Sequence, residues 1–353
     1  MTHLWLRAET KANEHRTPLT PAHARQLLEL GFQITVEKST QRIFADSFFT
    51  DAGCKLAPAG SWPNADAECF ILGIKELPDD ETMLGHKHIM FGHLYKDQDD
   101  WHQQLSRFRD GGGMLLDLEY LTDNNGRRVS AFGYWAGFAG AALAIKQWLG
   151  RQAKGDQFQL SAERPYSNQS SLIQSLTARS QGLNNPRVLV IGSLGRCGRG
   201  AMDLCRQLGI EPDGWDQTET STGGPFASIL QYDILVNSVL LGEDVAPFIN
   251  RDLLDSESRK LQVIGDVSCD PNNPGNPLPI YNRITDFEQP VLRVNDTDPA
   301  LDIIAVDHLP SLLPKESSED FSAQLVSHLI DLDKGSEVWN RCIAIYQHHC
   351  RRL

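Results

Sequence analysis

The chain lacks long hydrophobic runs, low-complexity tracts and clusters of basic residues. Its longest apolar stretch, residues 132–149, is interrupted by glycines and by Lys146, which is not the composition of a membrane-spanning helix. The 33 Lys and Arg residues are dispersed along the chain, and the net charge is −13. Because such a surface repels nucleic acids and anionic membranes, we exclude both as partners and expect a small-molecule substrate.

Cysteine is sparse and irregularly placed. The seven cysteines form an odd number without a repeated spacing, so we expect mostly buried thiols in a reducing compartment. The amino-terminal residues contain no basic segment followed by an apolar core, so we expect a cytoplasmic protein. The final residues, 351–353, loosely resemble a peroxisomal address, although a basic tail ending in leucine arises easily by chance.

A standard zinc motif is also missing. The nearest groups are His86 with His88, and Cys342 with His348, His349 and Cys350. Neither group has the ligand spacing of a common zinc site, so we expect no metal.

Length and hydrophobic patterning predict two α/β domains. A chain of 353 residues exceeds the size at which one hydrophobic core stops growing. In the first third, apolar runs alternate with helical patterns, which predicts a mainly parallel sheet covered by helices on both faces. The predicted strands are residues 4–8, 33–37, 68–75, 89–95 and 114–121, and the predicted helices are residues 21–30 and 99–109.

A different pattern covers residues 134–150. Aromatic and aliphatic residues recur there at helical spacing beside a line of small residues, which predicts a long, closely packed interdomain helix. The polar residues 151–159 are expected to be exposed. A second α/β unit follows, with predicted strands at residues 187–191, 233–239 and 263–267, a short strand ending at Asp216, and a helix at residues 198–208. Two carboxyl-terminal helices, residues 316–332 and 336–349, are expected to return to the first domain.

A glycine-rich turn follows the first strand of the second unit. Gly192, Gly195 and Gly198 permit a tight turn and a close approach of a pyrophosphate to the amino terminus of the next helix. The spacing is G-x-x-G-x-x-G, so an ordinary turn before a helix remains an alternative. Asp216 can accept hydrogen bonds from ribose hydroxyls and would repel the 2′-phosphate of NADP. We therefore expect NAD, with Thr220 beside the adenosine or in an ordinary loop.

Lys75 and His93 are the candidate acid/base residues. Each lies toward the carboxyl end of a predicted strand, where α/β proteins bind their ligands. A lysine among apolar and acidic residues can have an altered proton affinity, and histidine exchanges protons near neutrality. A solvated lysine and a hydrogen-bonded core histidine are the ordinary alternatives.

Arginines and glutamates accompany this pair. Arg16, Arg127 and Arg128 supply planar forks for carboxylates, and Glu76 and Glu119 can hold an ammonium group. Together they describe a pocket for an amino acid with several carboxylates. Ordinary surface positions remain the alternative for each arginine.

Several longer motifs carry a resemblance to a known family. They include LRAETK ending at Lys11, EHR ending at Arg16, GIKE ending at Glu76, HLYKDQ beginning at His93 and GRR ending at Arg128. Further motifs are GRCG ending at Gly198, GGPF ending at Phe226, GDVS ending at Ser268 and DHLPSLLP beginning at Asp307. The chain resembles the lysine-forming, NAD-dependent saccharopine dehydrogenases, within the alanine dehydrogenase/transhydrogenase-like superfamily.

The resemblance implies two Rossmann-like domains with mainly parallel sheets and the active site in the cleft between them. Residues 1–133 with 320–353 would bind and convert the substrate, and residues 134–319 would bind NAD. The implied reaction is the reversible oxidative deamination of saccharopine to lysine and 2-oxoglutarate, in the α-aminoadipate pathway of lysine biosynthesis. Lys75 would accept the proton of the secondary amine as hydride leaves for NAD, and His93 would transfer protons during imine hydrolysis.

The resemblance also implies the binding residues. Substrate contacts are expected from Arg16, Glu76, Gln98, Glu119, Arg128, Phe132, Ser268, Cys269 and Asp270. The NAD site is expected to include Arg127, Gly192, Gly195, Arg196, Gly198, Asp216, Thr220, Leu240, Val267, Val306, Asp307, His308 and Leu309. Ser238 and Leu240 depart from the family's cysteine and aromatic residue, so adenosine packing is expected to differ while every acid/base residue is present.

Two alternatives remain. An alanine dehydrogenase-like enzyme, acting on pyruvate and ammonia, shares the likeness over the first 100 residues, but Arg128, Glu76 and Glu119 favour a larger substrate with three carboxylates. A non-catalytic NAD-binding sensor would require the loss of an acid or a base, and both are present. By analogy with the family we expect a monomer.

Overall fold

A computed structural model of the protein describes residues 1–95, 100–242, 245–256 and 258–353. The chain divides into two compact units, which we call the first unit (Met1–Ala131 with Pro314–Leu353) and the second unit (Phe132–Leu313). The boundaries lie a few residues from those expected at 133 and 319. The carboxyl-terminal segment belongs to the first unit, where its helices pack against elements from the amino-terminal part of the chain.

The first unit contains a wholly parallel sheet. Its strands in the described residues are β1 (His3–Leu6), β2 (Gln33–Glu37), β3 (Lys55–Ala57), β4 (Phe70–Leu72), β5 (Lys87–Met90) and β6 (Met114–Asp117). Their order is β3-β2-β1-β4-β5-β6. The direction of winding reverses between β1 and β4, and in such sheets ligands bind beyond the carboxyl ends of the strands at this switch point.

Five helices of the first unit accompany the sheet in the described part of the chain. They are α1 (Pro21–Glu29), α2 (Asp46–Asp51), α3 (Trp101–Gly111), α9 (Pro314–Leu329) and α10 (Glu337–Cys350). Helix α1 begins where the sequence predicts it, because Pro21 stands at its first position and the Thr20 hydroxyl accepts a hydrogen bond from the His23 amide. Gly31, with φ of +90°, follows its carboxyl end.

The second unit contains a mixed sheet with one antiparallel edge. Its strands in the described residues are β7 (Val188–Ile191), β8 (Asp213–Trp215), β9 (Ile234–Asn237), β10 (Val263–Asp266), β11 (Leu292–Asn295) and β12 (Leu301–Ile304). The order is β11-β12-β10-β9-β7-β8, and only the β11–β12 pair is antiparallel. The switch point lies between β7 and β9. Two mainly parallel sheets confirm the predicted fold class.

Helix α4 (Gly133–Lys154) forms the core of the second unit and packs most extensively against α6 (Arg196–Gln207). Glycines make this close approach possible: a Cβ at Gly137 would lie 1.7 Å from the Cys197 carbonyl oxygen, and one at Gly200 would lie 1.9 Å from the Tyr134 carbonyl oxygen. The small-residue line in the sequence therefore corresponds to a helix–helix contact. The remaining helices are α5 (Gln169–Ser180), α7 (Gln217–Thr220) and α8 (Arg251–Leu254).

Three sequence predictions about elements need correction. The polar segment after α4 is not wholly exposed, because the helix continues to Lys154 and Arg151 is buried against Asp302. The predicted strand at residues 89–95 ends at Met90, and His93 follows it with a left-handed backbone, φ of +53°. Helix α6 begins at Arg196, two residues before the predicted start.

Thiols and apolar helices are distributed as the composition indicates. Four of the seven cysteines, Cys54, Cys69, Cys205 and Cys342, are buried thiols, which confirms the expectation that most thiols are buried. Among the described residues, none of the helices has the length and apolar character required to cross a bilayer.

Replacing Gly137 by alanine tests the close contact between α4 and α6. The added methyl group meets a backbone carbonyl that cannot rotate away, so we expect Gly137→Ala to lower the free energy of unfolding by about 2–3 kcal/mol. Urea denaturation followed by circular dichroism measures this change. Ala153→Ser, on the exposed end of the same helix, is the control, and an unchanged midpoint for Gly137→Ala would contradict the packing.

Candidate functional site

Chemistry-bearing side chains of the first unit gather at the carboxyl ends of its strands. The loop after β1 carries Glu9, Glu14 and Arg16, and the loop after β4 carries Lys75. These two loops flank the switch point. Backbone bonds continue past the strands, with the Gly73 amide donating to Ile89 O at 3.0 Å and the Phe91 amide to Ile74 O at 3.0 Å. The segments leading to Lys75 and His93 are therefore neighbours at one edge of the sheet.

The backbone at Lys75 is held by a buried ion pair. The Glu9 carboxylate accepts hydrogen bonds from the Ile74 amide at 2.7 Å and the Lys75 amide at 3.0 Å. Arg7 Nη1 lies 3.3 Å from Glu9 Oε2, and Arg7 Nη2 donates to the Lys75 carbonyl oxygen. A Cβ at Gly73 would lie 2.4 Å from Arg7 Nε, so glycine provides the space for the guanidinium group.

The Lys75 side chain is half-buried among charges of both signs. Burial lowers the pKa of its ammonium group, and the cations of Arg16 and Lys11 lower this pKa further. The carboxylates of Glu14 and Glu76 oppose the shift. Since the cations and the desolvation prevail, Lys75 gives up its proton more readily than an exposed lysine does.

Arg16 is less accessible than its predicted role suggests. It is 5% exposed, and its Nε and Nη2 atoms donate to Glu14 Oε1 at 2.8 Å and Glu14 Oε2 at 2.6 Å. Arg16 holds the pKa of the Glu14 carboxyl below its usual range. A substrate carboxylate bound by Arg16 would have to share the guanidinium group with Glu14. Glu76 is exposed and accepts a hydrogen bond from Lys11 Nζ at 3.3 Å.

His93 faces Glu119. The Nδ1 atom of His93 lies 3.6 Å from Glu119 Oε2, and the two side chains are 50% and 16% exposed. The imidazole ring also stacks on Phe91, with ring centroids 6.3 Å apart and an interplanar angle of 17°. One ring nitrogen is therefore oriented toward a carboxylate while half of the ring remains open to solvent, as proton exchange requires.

The remaining predicted substrate residues, and Arg127 of the predicted NAD site, are more dispersed. Arg127 and Arg128 are exposed in a turn that the Asp123 carboxylate closes by accepting a hydrogen bond from the Arg127 amide at 2.9 Å. Phe132 belongs to the second unit, where it is half-buried at the start of α4. Gln98 lies outside the described residues.

The second unit places the glycine-rich turn directly after β7. Gly192 has φ of +82°, and a Cβ there would lie 2.5 Å from Val239 Cγ1. A Cβ at Gly198 would lie 2.0 Å from the Gly192 carbonyl oxygen, so the turn and the first turn of α6 touch. Gly195 is the N-cap of α6 and Arg196 its first residue, and no side chain caps the helix. The turn therefore presents amide groups at an uncapped helix amino terminus, which suits a phosphate.

Asp216 follows β8 beside this turn. Its carboxylate accepts hydrogen bonds from the Leu194 amide at 3.1 Å and the Gln217 amide at 3.0 Å. Thr220 closes the short α7 by donating to the Asp216 carbonyl oxygen at 2.9 Å. Leu240 is 46% exposed in the loop after β9. The structure thus brings the predicted glycines, the acid and an apolar surface residue to the switch point of the second sheet.

A buried polar network supports the loop after β10. The Asp266 carboxylate accepts hydrogen bonds from Tyr281 Oη at 2.6 Å, Asn237 Nδ2 at 2.9 Å and the Ser268 amide at 3.2 Å. Burial raises the pKa of Asp266. Cys269 has φ of +52°, and burial raises the pKa of its thiol to about 12, so it is no nucleophile at neutral pH. Ser268 and Asp270 are half-buried on either side of it.

The last group of predicted cofactor residues is partly in the core. Val306 and Leu309 are 1% and 2% exposed, so a ligand could reach them only through their backbone. Asp307 is exposed and hydrogen-bonds with the half-buried His308. Val267 is half-buried and packs on Gly140 of α4, where a Cβ would lie 2.7 Å from Val267 Cγ2.

Two kinds of functional residue escaped the sequence analysis. Glu9 and Glu14 lie within motifs that carry the family resemblance, but charged loop residues are usually solvated, so their burial has no local sequence signal. Asn237 and Asp266 are the last residues of two apolar strands, β9 and β10. A polar residue at the same position of both strands is the sequence signal that could have identified them. Within the described residues, no three His, Cys, Asp or Glu side chains come together as a metal site.

Comparisons with known proteins agree with this geometry. The model of the alanine dehydrogenase/PNT N-terminal domain matches residues 5–139. The saccharopine dehydrogenase (NAD(+), L-lysine-forming) of Yarrowia lipolytica is 47% identical, with 99% of this chain and 98% of that protein aligned. The protein of the same name from Schizosaccharomyces pombe is 46% identical, with 99% of each chain aligned.

Solved structures support the fold independently. An L-alanine dehydrogenase superposes with a TM-score of 0.68 at 16% identity, covering 98% of this chain and 94% of that one. The transhydrogenase from Sinorhizobium meliloti gives a TM-score of 0.63 at 16% identity, covering 94% of each chain. At this identity the likeness concerns the fold alone, whereas the full-length relatives define the family. The chain belongs to the family of the saccharopine dehydrogenases (NAD(+), L-lysine-forming).

Proposed function

We propose that this protein catalyses the reversible, NAD-dependent oxidative deamination of saccharopine, in which saccharopine, NAD⁺ and water give lysine, 2-oxoglutarate, NADH and a proton. The observation that carries the proposal is the full-length identity of 47% to a relative named for this reaction. At one edge of its sheet, the first unit supplies Lys75, whose pKa is lowered, and His93, whose side chain is half exposed to solvent. These are the groups that proton transfer to and from a secondary amine requires.

The charge arrangement of the first unit suits the substrate. Saccharopine carries three carboxylates and two amino groups, and the loops after β1 and β4 mix guanidinium groups with carboxylates. We assign substrate contacts to Arg16, Glu76, Gln98, Glu119, Arg128, Phe132, Ser268, Cys269 and Asp270. Arg128 and Glu76 are exposed to solvent, whereas Arg16 is buried and forms an ion pair with Glu14.

The second unit fits a dinucleotide. A Cβ at Gly192 would meet Val239 Cγ1 and one at Gly198 would meet the Gly192 carbonyl oxygen, so glycine at both positions lets the turn pack tightly against the start of α6. We assign NAD contacts to Gly192, Gly195, Arg196, Gly198, Asp216, Thr220, Leu240 and Val267, and also to Arg127, Val306, Asp307, His308 and Leu309. NAD supplies a hydride acceptor when bound, and Asp216 would select it over NADP by repelling a 2′-phosphate.

Lys75 acts in the oxidative step. As the C–H bond of the glutaryl α-carbon loses a hydride, the Lys75 amine accepts the proton of the secondary amine, and a C=N bond forms. The neighbouring cations Arg16 and Lys11 favour the neutral amine that this step needs. Lysine residues in this role require a lowered pKa, because an ordinary lysine is protonated at neutral pH.

His93 acts in the hydrolytic step. The imidazole accepts a proton from water as the water oxygen attacks the imine carbon, giving a carbinolamine. Lys75, protonated in the oxidative step, returns its proton to the imine nitrogen, so the carbinolamine is neutral. The imidazolium of His93 then protonates that nitrogen and the hydroxyl group passes its proton to the Lys75 amine, so that the C–N bond breaks, lysine leaves and the carbonyl of 2-oxoglutarate forms. Glu119, 3.6 Å from His93 Nδ1, orients the ring.

The cellular setting is also a proposal. Four buried free thiols suit a reducing compartment, and we infer a cytoplasmic enzyme. By analogy with the family we further propose a monomer.

An absorbance assay at 340 nm tests the proposed reaction. We expect NADH to be consumed with lysine plus 2-oxoglutarate and not with pyruvate plus ammonium. Consumption with the second pair alone would make the protein an alanine dehydrogenase-like enzyme. Consumption with neither pair, together with retained NADH binding by fluorescence, would indicate a sensor.

Substitution of Lys75 separates chemistry from binding. We expect Lys75→Met to lower kcat by about 10²- to 10⁴-fold, because the proton acceptor is lost, while the affinity for NADH stays within about twofold. Steady-state kinetics and NADH fluorescence titration measure both quantities. Lys55→Met, an exposed lysine of β3, is the control. Loss of NADH binding by Lys75→Met would mean that this residue belongs to the cofactor site instead.

The pH dependence of saccharopine oxidation reports on Lys75. The rate rises with pH as Lys75 loses its proton, and its lowered pKa places this rise below the range of an ordinary lysine. Removing the positive charge of Lys11 makes the Lys75 proton harder to remove, so Lys11→Met should move the rising limb of kcat/KM to higher pH by roughly half a unit. Lys334→Met, from the exposed Lys334–Asp331 pair, should leave the limb unchanged. A shift to lower pH in Lys11→Met would contradict the assignment.

A further inference from the structure

The loops that carry His93 and Glu119 share one buried acceptor. Asp117, the last residue of β6, is 0% exposed. Its Oδ2 atom accepts a hydrogen bond from the Gly92 amide at 3.3 Å, and its Oδ1 atom accepts one from the Glu119 amide at 2.9 Å. One carboxylate thus links the residue before His93 to the carboxylate partner of His93.

The backbone of His93, the residue after Gly92, adopts an unfavourable conformation. His93 has φ of +53°, in the left-handed region that residues with a Cβ rarely occupy. A side chain at the preceding residue would displace its neighbours, because a Cβ at Gly92 would lie 2.5 Å from Leu115 Cδ2 and 3.3 Å from Asp117 Oδ2. Such a conformation persists only where neighbouring contacts hold it, and the Gly92–Asp117 bond lies directly beside it.

We propose that Asp117 is a positioning residue for His93, holding the His93 backbone in its left-handed conformation so that the imidazole meets Glu119. This inference rests on the proposed function, since Asp117 acts through His93 and does not itself touch the substrate.

The electrostatics agree with this role. Burial raises the pKa of Asp117 to about 6, and the anion of Glu119 acts in the same direction. The amide bonds from Glu119 and Gly92 and the nearby His93 oppose this rise. The side chains of Tyr95, Tyr120 and Cys342 lie close enough to interact with it, and none of them is a cation. Above pH 7 the carboxylate is ionised and can accept both amide bonds at once.

The test compares Asp117→Asn with the matched variant Asp66→Asn at pH 8. An asparagine keeps the volume but offers a single oxygen, so one of the two amides loses its acceptor. Asp66 also accepts one amide, from Glu68 at 3.1 Å, but in an exposed turn before β4. We expect kcat with lysine plus 2-oxoglutarate to fall about tenfold or more in Asp117→Asn, while the KM for NADH changes little. The amide left without an acceptor should also lower the melting temperature. Asp66→Asn should behave as wild type.

A double-mutant cycle separates positioning from general damage. In a His93→Gln background, Asp117→Asn should lower the residual kcat by less than about twofold, because a clamp on an absent imidazole has no catalytic effect. Gly92→Ala displaces the same amide without altering Asp117. It should reproduce the loss of kcat, and it serves as the test if Asp117→Asn fails to fold.

The outcomes distinguish the two proposals. Full activity of both Asp117→Asn and Gly92→Ala, or an equal loss from Asp117→Asn with and without His93, overturns the positioning role while leaving the proposed reaction intact. An inactive wild-type chain overturns the proposed reaction itself.

Discussion

Buried carboxylates that accept backbone amides hold the ends of the parallel strands in both units. A parallel strand that leaves the sheet exposes amide groups at its carboxyl end, and buried amides need an acceptor. Glu37 accepts the amides of Ala8, Gly60 and Trp62 at 2.7 to 2.9 Å, and Glu9 accepts those of Ile74 and Lys75. Asp266 accepts the Ser268 amide in the second unit in the same way. The loops that carry the functional side chains are therefore tied to the sheet by hydrogen bonds to these carboxylates.

This arrangement has consequences for reactivity. When a carboxylate under a loop pairs with an arginine and accepts backbone amides, these partners balance its negative charge. The carboxylate then raises the proton affinity of a nearby lysine less. Glu9 pairs with Arg7 and accepts hydrogen bonds from two amides. Lys75 lies near the cations of Arg16 and Lys11, which lower its pKa. The same bonds that order the strand end thus leave Lys75 in surroundings that favour its neutral form. Structural and chemical requirements are met by one set of contacts.

Much of this organisation could be predicted from the sequence because its elements are strongly patterned. Strands such as β7 and β9 are uninterrupted apolar runs between polar turns, and α1 carries a threonine cap and a proline at its start. The carboxyl end of β5 was harder to predict, because residues 91–95 continue the apolar pattern after the strand has ended. Tertiary bonds to Asp117 turn the chain there, and no local pattern reports them.

The site was predictable in part, for a similar reason. Lys75, His93 and the glycines carry chemical identities that point to their roles, and the structure places them at strand ends. Arg16 was predicted from its guanidinium group and Val306 from the family resemblance, and the structure shows one in a buried ion pair and the other in the core. Burial of a loop residue depends on which distant segments cover it, which periodicity does not record.

Transfer of a labelled hydride tests the central claim most directly. The chain should convert lysine, 2-oxoglutarate and NADH deuterated at the transferable C4 position into a condensed product that contains one deuterium at the glutaryl α-carbon, as read by mass spectrometry and proton NMR. The Lys75→Met variant should form almost none of it. A product without deuterium, or oxidation of the cofactor without a condensed product, would contradict the proposal that this protein joins and cleaves the C–N bond of saccharopine.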